Sequence, residues 1–397
     1  MTKQTPRTNR NIGMLYALQA ASGAMIMIPI FVYFLEAQGL TLRDVFLLQT
    51  AFACTLLVGE IPTGYASDRW GRRPTMVLGC SLRFLGIFLY CTGQGFWAFL
   101  LAEVIGGIGH SFNSGTLDAF AYDTLLEDGR TSEFRKVIGR SRFYLFASEG
   151  FASLLGGYLV MFGLRWPFYA TLVPFAAAIV LAGLMREPRR HRMQTRQHLK
   201  AMWRISMDSL VRHPAIRMII ILHAILATLG LSLFWFTQPY QTLTGLPLPL
   251  FGVMHAVVVA AGAVASLYVH AMERWMDDRL FLVLIAIVMA GGFLILGNVT
   301  ALPALLVFPL VRIGWSFATP LTTDMVNRMT ESSVRATVLS AKAFGQRLLF
   351  AISAPLLGYT ADVLSLQTAL LITGAIGSVT ALATFLAMRP VWRQIPR

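Results

Sequence analysis

The 397-residue sequence is poor in charge. Only 13% of its residues are Asp, Glu, Lys or Arg, and 19 of these are acidic against 33 basic. A soluble α/β protein of this length needs more ions to wet its surface, and a hydrophobic content of 56% leaves a membrane as the fitting solvent. Cysteine is scarce too. Cys54, Cys80 and Cys91 all fall in apolar stretches without metal-ligand spacing, which argues against a disulfide framework and a metal site. The seven histidines form no His-x-x-x-His pair. No Gly-x-Ser-x-Gly elbow and no phosphate-cradling loop occurs, so an embedded enzyme has little support and no cofactor is expected.

What is present is a series of apolar runs, each long enough to cross a hydrocarbon core of about 30 Å as a helix. Backbone groups in lipid must be satisfied within their own segment, which selects helices. The expected spans are 12–34, 42–65, 74–93, 96–125, 137–162, 165–186, 214–240, 248–271, 280–297, 301–326, 337–362 and 366–388. They describe an all-α membrane protein of twelve transmembrane helices in two six-helix bundles, at 1–186 and 214–397. Between the bundles, 187–213 is a basic cytoplasmic linker, with an amphipathic helix expected around His198 to Leu210 on the inner leaflet. Met1 to Asn11 is a short basic leader, and the apolar run after it is too long for a signal-peptide core, so it is read as a retained helix.

The net charge of +14 is a matter of topology. With both termini in the cytoplasm, 24 of the 33 basic residues fall in cytoplasmic segments, seven inside spans, and two, Arg43 and Arg165, in outer loops. This positive-inside bias points to a bacterial inner membrane and to contact with anionic lipid, and away from nucleic acid. Gly109-His-Ser-Phe112 in the fourth span recurs as Gly314-Trp-Ser-Phe317 in the tenth, as a six-plus-six repeat requires.

The segment Gly64-Tyr-Ala-Ser-Asp68-Arg69-Trp-Gly71-Arg72-Arg73, between spans two and three, resembles the signature loop of the major facilitator superfamily at every defining position. Glu60-Ile-Pro62-Thr-Gly64 resembles a helix end common in its drug-exporter-like members, and Pro355-x-x-Gly358-x-x-x-Asp362 resembles its eleventh helix. Gly64 and Gly71 permit close approach and a tight turn, while Asp68, Arg69, Arg72 and Arg73 present fixed charges. The resemblance implies that Asp68 faces the amino end of the eleventh helix and that Arg72 pairs with Asp123, a gating latch. It also implies that spans one, four, seven and ten line a central cavity. Gln19, His110, Asn113, Tyr122, Trp235, Gln238, Arg312 and Trp315 are then the candidate substrate-binding residues.

Ionisable residues within spans are expensive and point to function. Among them are Arg83, Glu103, His110, Asp118, Arg140, Arg142, Glu149, His223, His255, Arg312, Asp324, Lys342 and Arg347. Glu149, near the middle of the fifth span, is the first candidate for proton coupling, with Arg140 or Arg142 as its partner in a purely structural reading. Asp118 is the second candidate. Two features depart from the exporter pattern: Ala152-Ser153 stands where Gly-Pro precedes Gly156-Gly157, and Glu103 stands where an arginine aligns. The expectation is a monomeric, proton-coupled secondary transporter of a small-molecule solute, with export of amphiphilic compounds slightly favoured. Import of a metabolite or metal chelate is the alternative, and a non-transporting membrane sensor is the alternative from another class.

Overall fold

A computed structural model describes residues 6–188, 213–331, 334–390 and Trp392. The amphipathic helix expected around His198 to Leu210 lies outside the described residues. Thirteen α-helices occur among the described residues: α1 (Pro6–Gly23), α2 (Phe31–Ala37), α3 (Leu42–Trp70), α4 (Arg72–Thr92), α5 (Gly95–Glu127), α6 (Phe134–Leu159), α7 (Trp166–Leu184), α8 (Pro214–Leu243), α9 (Leu250–Trp275), α10 (Asp278–Asn298), α11 (Val307–Met329), α12 (Arg335–Val363) and α13 (Leu366–Met388).

Eleven membrane spans are long and apolar enough to cross a bilayer, counting α1, its following turn and α2 as one. The remaining helix, α12, has the length at 29 residues but carries Lys342, Gln346 and Arg347, which dilute its hydropathy. Large apolar side chains such as Phe151, Val173, Leu267 and Val379 stand mostly exposed on the helix surfaces. That is the surface a lipid solvent accepts and water does not.

Two expected boundaries differ. The first span is broken after Gly23, and Met25 to Ile30 form turns before α2 resumes. Gly23 presses on the carbonyl of Leu145 in α6, and Pro29 withholds a donor from the helical ladder. The second span runs on to Trp70, so most of the signature segment is helical, and the turn itself is Gly71 alone, with φ 122°. Only glycine takes that conformation cheaply. Among the described residues nothing lies within 4 Å of where a Gly64 side chain would be, so none of them makes the close approach expected there.

Two compact units result. The first comprises Met1–Leu40, Ala51–Met193 and Pro247–Val257. In it α4 packs on α5 and α7, and α1 packs on α6 and α7, around Leu15, Leu18, Met76, Phe120, Leu125 and Ala182. Asn11 bonds reciprocally with the backbone of Arg186, both at 3.0 Å, tying the start of α1 to the chain after α7. The second unit comprises Thr41–Thr50, Gln194–Leu246 and Val258–Arg397. There α8 packs on α11, α12 and α13, and α10 packs on α11 and α13. Thr41 and Asp44 cap the start of α3 reciprocally, the Thr41 N–H giving to Asp44 Oδ2 at 3.0 Å and the Asp44 N–H to Thr41 Oγ1 at 3.3 Å.

Candidate functional site

In the first unit the helix ends around Gly71 gather charge. Arg72 Nε donates to Asp123 Oδ2 at 3.0 Å, and its terminal nitrogen donates to Asp68 Oδ1 at 2.7 Å and Ser67 Oγ at 2.8 Å. One guanidinium therefore joins the end of α3 to the end of α5, the planar multi-donor role that lysine cannot fill. Arg69 reaches Tyr65 at 3.2 Å on the exposed side. Glu187 completes the cluster and was not singled out from sequence. Its two oxygens accept from the backbone N–H groups of Arg72 and Arg73, each at 2.7 Å, at the positive end of α4. An acid just beyond the seventh helix carries no sequence sign of this task.

Glu149 on α6 lies against His255 of α9, with Oε1 3.3 Å from Nε2. The imidazole is buried and the carboxylate side chain is 21% exposed, so the pair is shielded on the imidazole side and only partly on the other. The partner expected for a structural role, Arg140 or Arg142, is replaced by a histidine, whose ring can itself take up a proton. Arg142 goes instead to Asp118, at 3.8 Å between half-exposed side chains. Asp118 is thus loosely paired, while Glu149 is enclosed.

The enclosure comes from the α6–α9 crossing. A side chain on Gly157 would meet the backbone of Pro249 and Gly252, and one on Gly252 would meet that of Ser153 and Gly157. Gly156, beside it, presses on the carbonyl of Ile26 at the break in the first span. The Gly-Gly pair therefore packs on two neighbours although Gly-Pro is missing before it. Glu103, placed where an arginine was expected, is buried and accepts from the Tyr90 hydroxyl at 2.6 Å.

The expected substrate-binding residues separate into groups. Gln19 is buried on α1, and the His110 ring stands edge-on to Phe52, with centroids 5.9 Å apart. Asn113 does not face an open wall: it is buried against Gly79 and bonds to Cys80, where the missing side chain of Gly79 makes room for its amide. Tyr122 is exposed and stacks edge-on with Phe134.

In the second unit the Arg312 guanidinium lies 4.8 Å over the Trp315 ring, a cation–π contact on α11. The indole of Trp315 fills the space at Gly230 of α8. Trp235 is half-buried and Gln238 buried on the same helix. Asp362 at the end of α12 accepts from the backbone N–H groups of Leu42 and Arg43, at 3.0 and 2.8 Å, a carboxylate on the positive end of α3.

Helices of bilayer length with apolar outer surfaces and enclosed charges define a polytopic, all-α membrane protein. The family description Major Facilitator Superfamily matches residues 12–354, and the chain belongs to that family. Its helices have the fold of that family. "Multidrug resistance protein 2" of Bacillus subtilis (strain 168) is 24% identical over 168 residues, covering 42% of this chain and 40% of that protein. The chain thus matches well under half the length of this relative. Among solved structures, a mutant of the nucleoside transporter NupG shares the fold with a TM-score of 0.82 at 12% identity, covering 96% of this chain and 100% of the other. A D-xylose-proton symporter does so with a TM-score of 0.74 at 16% identity, covering 98% of each.

Proposed function

We propose that this protein couples proton movement to transport of a small organic solute by alternating access, and that Glu149 with His255 is where the coupling proton binds. The 3.3 Å contact between a partly buried carboxylate and a buried imidazole carries the reading. With Glu149 ionised and His255 neutral the pair has one negative charge, and one added proton neutralises it. A buried charge gained or lost at a close-packed crossing changes the relative free energies of two conformations, as coupling requires. The charges at Asp68, Arg72, Asp123 and Arg73, with Gly71 as the hinge, act as the gate on the cytoplasmic side. Both termini are then cytoplasmic, the break between the two six-helix halves lies within 187–213, and the working unit is a monomer in the bacterial inner membrane.

Export of amphiphilic compounds is the favoured direction. In the second unit Arg312 on Trp315, with Trp235 on the neighbouring helix, offers aromatic and polar contacts, and the relative in Bacillus subtilis is named for multidrug resistance. Proton coupling has a precedent in the fold, in the symporter for D-xylose. The deciding experiment uses inside-out vesicles. Accumulation of the amphiphilic cation ethidium should depend on an imposed proton gradient. Accumulation that is unaffected when the gradient is collapsed overturns proton coupling, and loss of ethidium from preloaded vesicles on imposing the gradient overturns export.

A further inference from the structure

The second unit encloses an amine that the transport reading does not use. Lys342 on α12 is 5% exposed. Its ammonium has three N–H groups, and they are given to the Thr319 carbonyl at 3.2 Å, Thr322 Oγ1 at 3.1 Å and Thr323 Oγ1 at 2.5 Å, all on α11. Every donor is taken by a neutral oxygen. No N–H is left to hold an anionic solute, and among the described residues no carboxylate is paired with the charge. An ammonium in that setting is costly and gains by passing its proton on.

The next group along can receive it. Thr322 Oγ1 is 3.0 Å from His223 Nδ1 on α8, and His223 Nε2 is 3.2 Å from Gln346 Oε1, one turn beyond Lys342 on α12. The Gln346 carbonyl oxygen can only accept, so Nε2 carries the ring proton and Nδ1 presents its lone pair to the Thr322 hydroxyl. Thr322 Oγ1 also lies 2.7 Å from the Ala318 carbonyl and 3.3 Å from that of Thr319, so its single proton has resting acceptors on its own helix; when the hydroxyl turns to Nδ1, the donors run in one direction, from Lys342 through Thr322 and His223 to Gln346. We propose that Lys342, Thr322 and His223 form a second proton site, in which an amine and an imidazole share one proton through a threonine hydroxyl.

The transfer balances. The Nζ–H bond of Lys342 breaks as a new O–H forms on Thr322, while the original Thr322 O–H breaks and an N–H forms at His223 Nδ1. The threonine stays neutral, and one positive charge moves from α12 to α8. Both bases cannot be charged together, because a single oxygen separates them in this enclosed setting.

The surrounding charges leave the site to itself. On α11, Asp324 is held by Arg328 at 2.9 Å, and Arg312 lies over Trp315. On α8, Arg217 is six positions before His223, and Tyr240, far along the helix, bonds to the Val299 carbonyl. On α12, Arg335 bonds to the carbonyls of Asn327 and Thr330, Asp362 caps α3, and Tyr359 lies beside Arg43. Arg347 follows Lys342 by five positions, about 140° around the helix. The third helix packed on α12, α13, contains no ionisable residue from Leu366 to Met388.

The consequence for transport rests on the proton-coupled reading; the sharing of the proton does not. The test is therefore made on the full-length protein in detergent, with histidine rings isotopically labelled and the His223 signal assigned by its absence in His223→Gln. Removing the amine with Lys342→Met should move the His223 titration midpoint upward by about one pH unit, a tenfold change in its proton affinity. Thr322→Val should move the Nδ1 resonance of neutral His223 to that of a nitrogen accepting no hydrogen bond, with the Nε2–H tautomer still held by Gln346, and Thr322→Ser should leave that resonance in place. That pair decides the matter even where Lys342→Met fails to fold. A His223 titration superimposable in wild type and Lys342→Met, or an Nδ1 resonance unmoved by Thr322→Val, overturns the proposal. Loss of gradient dependence in the ethidium assay would overturn the transport reading alone.

Discussion

Each unit encloses an imidazole, but the partners have opposite character. In the first unit His255 meets a carboxylate, Glu149, and in the second His223 is linked through Thr322 to an amine, Lys342. Adding a proton neutralises the first pair, whereas removing one neutralises the second. The surroundings differ accordingly. The acid pair lies at a crossing where two glycines bring backbones together, and the amine lies among threonine oxygens that compensate its donors one by one. A carboxylate can be made neutral in place, while a buried ammonium must be solvated by the protein itself until it yields its proton.

The substitution that breaks this comparison most severely is Glu149→Gln. It fixes the first unit in the neutral condition and leaves the second unit free to titrate. Solute accumulation against a one-unit pH gradient should fall about tenfold, to no accumulation, while downhill exchange continues. Uphill transport by Glu149→Gln with the wild-type pH profile would remove the acid pair from the mechanism. The residual pH dependence of downhill exchange would then report the amine side alone.

Asp68→Asn comes next, because it alters the gate and neither enclosed pair. Asp68 is 45% exposed and shares Arg72 with Asp123, so the lost ion pair is screened by solvent. Turnover should slow by about threefold, the kinetic equivalent of ~0.6 kcal/mol for such a pair. Ethidium affinity should stay within about twofold, measured by its fluorescence on titration into the purified protein. A larger loss of affinity than of turnover would place Asp68 in solute binding.

The spans were legible because twenty apolar residues announce a membrane helix whatever packs beside them. The signature segment was legible as a charge cluster, and Arg72 and Asp123 do lie together. Its helical continuation to Trp70 was not, since the polar residues there mask a helix that ends only at Gly71. The pairing of Glu149 with His255 joins positions 106 apart, and no periodicity within α6 selects α9 over Arg142 and Arg140, about two and two and a half turns away. Lys342 was visible as a charge inside a span, but its three acceptors belong to α11 and become apparent only in three dimensions. Asn113 shows the reverse difficulty. Polarity in a central helix suggested a binding wall, and a glycine on α4 turned the side chain into a packing element.

A single helix allows a controlled version of the comparison. Gly252 and Gly262 both lie on α9, the first in the first unit and the second in the other. A methyl group on Gly252 meets the backbone of Ser153 and Gly157, which cannot yield without parting α6 from α9. One on Gly262 meets the side chains of Arg312 and Ser316, which can turn aside. Gly252→Ala should therefore destabilise the detergent-solubilised protein by about 1–3 kcal/mol, and Gly262→Ala by less than ~1 kcal/mol. Thermal unfolding followed by intrinsic fluorescence separates the two, and equal losses would mean that the α6–α9 crossing is no tighter than its surroundings.

The smallest expected effect lies at the end of α12. Asp362 accepts two backbone N–H groups at the start of α3, where its charge also meets the positive end of the helix. Asn at this position keeps one oxygen to accept with, turns an amide toward the other N–H, and removes the charge. Thr41 and Asp44 still cap the same helix end, so the start of α3 does not unravel. Asp362→Asn should cost about 0.3–1 kcal/mol by the same unfolding measurement, and less in high salt, which screens the wild-type charge. A loss independent of salt would mean that hydrogen-bond geometry, and not charge, is what Asp362 contributes to the second unit.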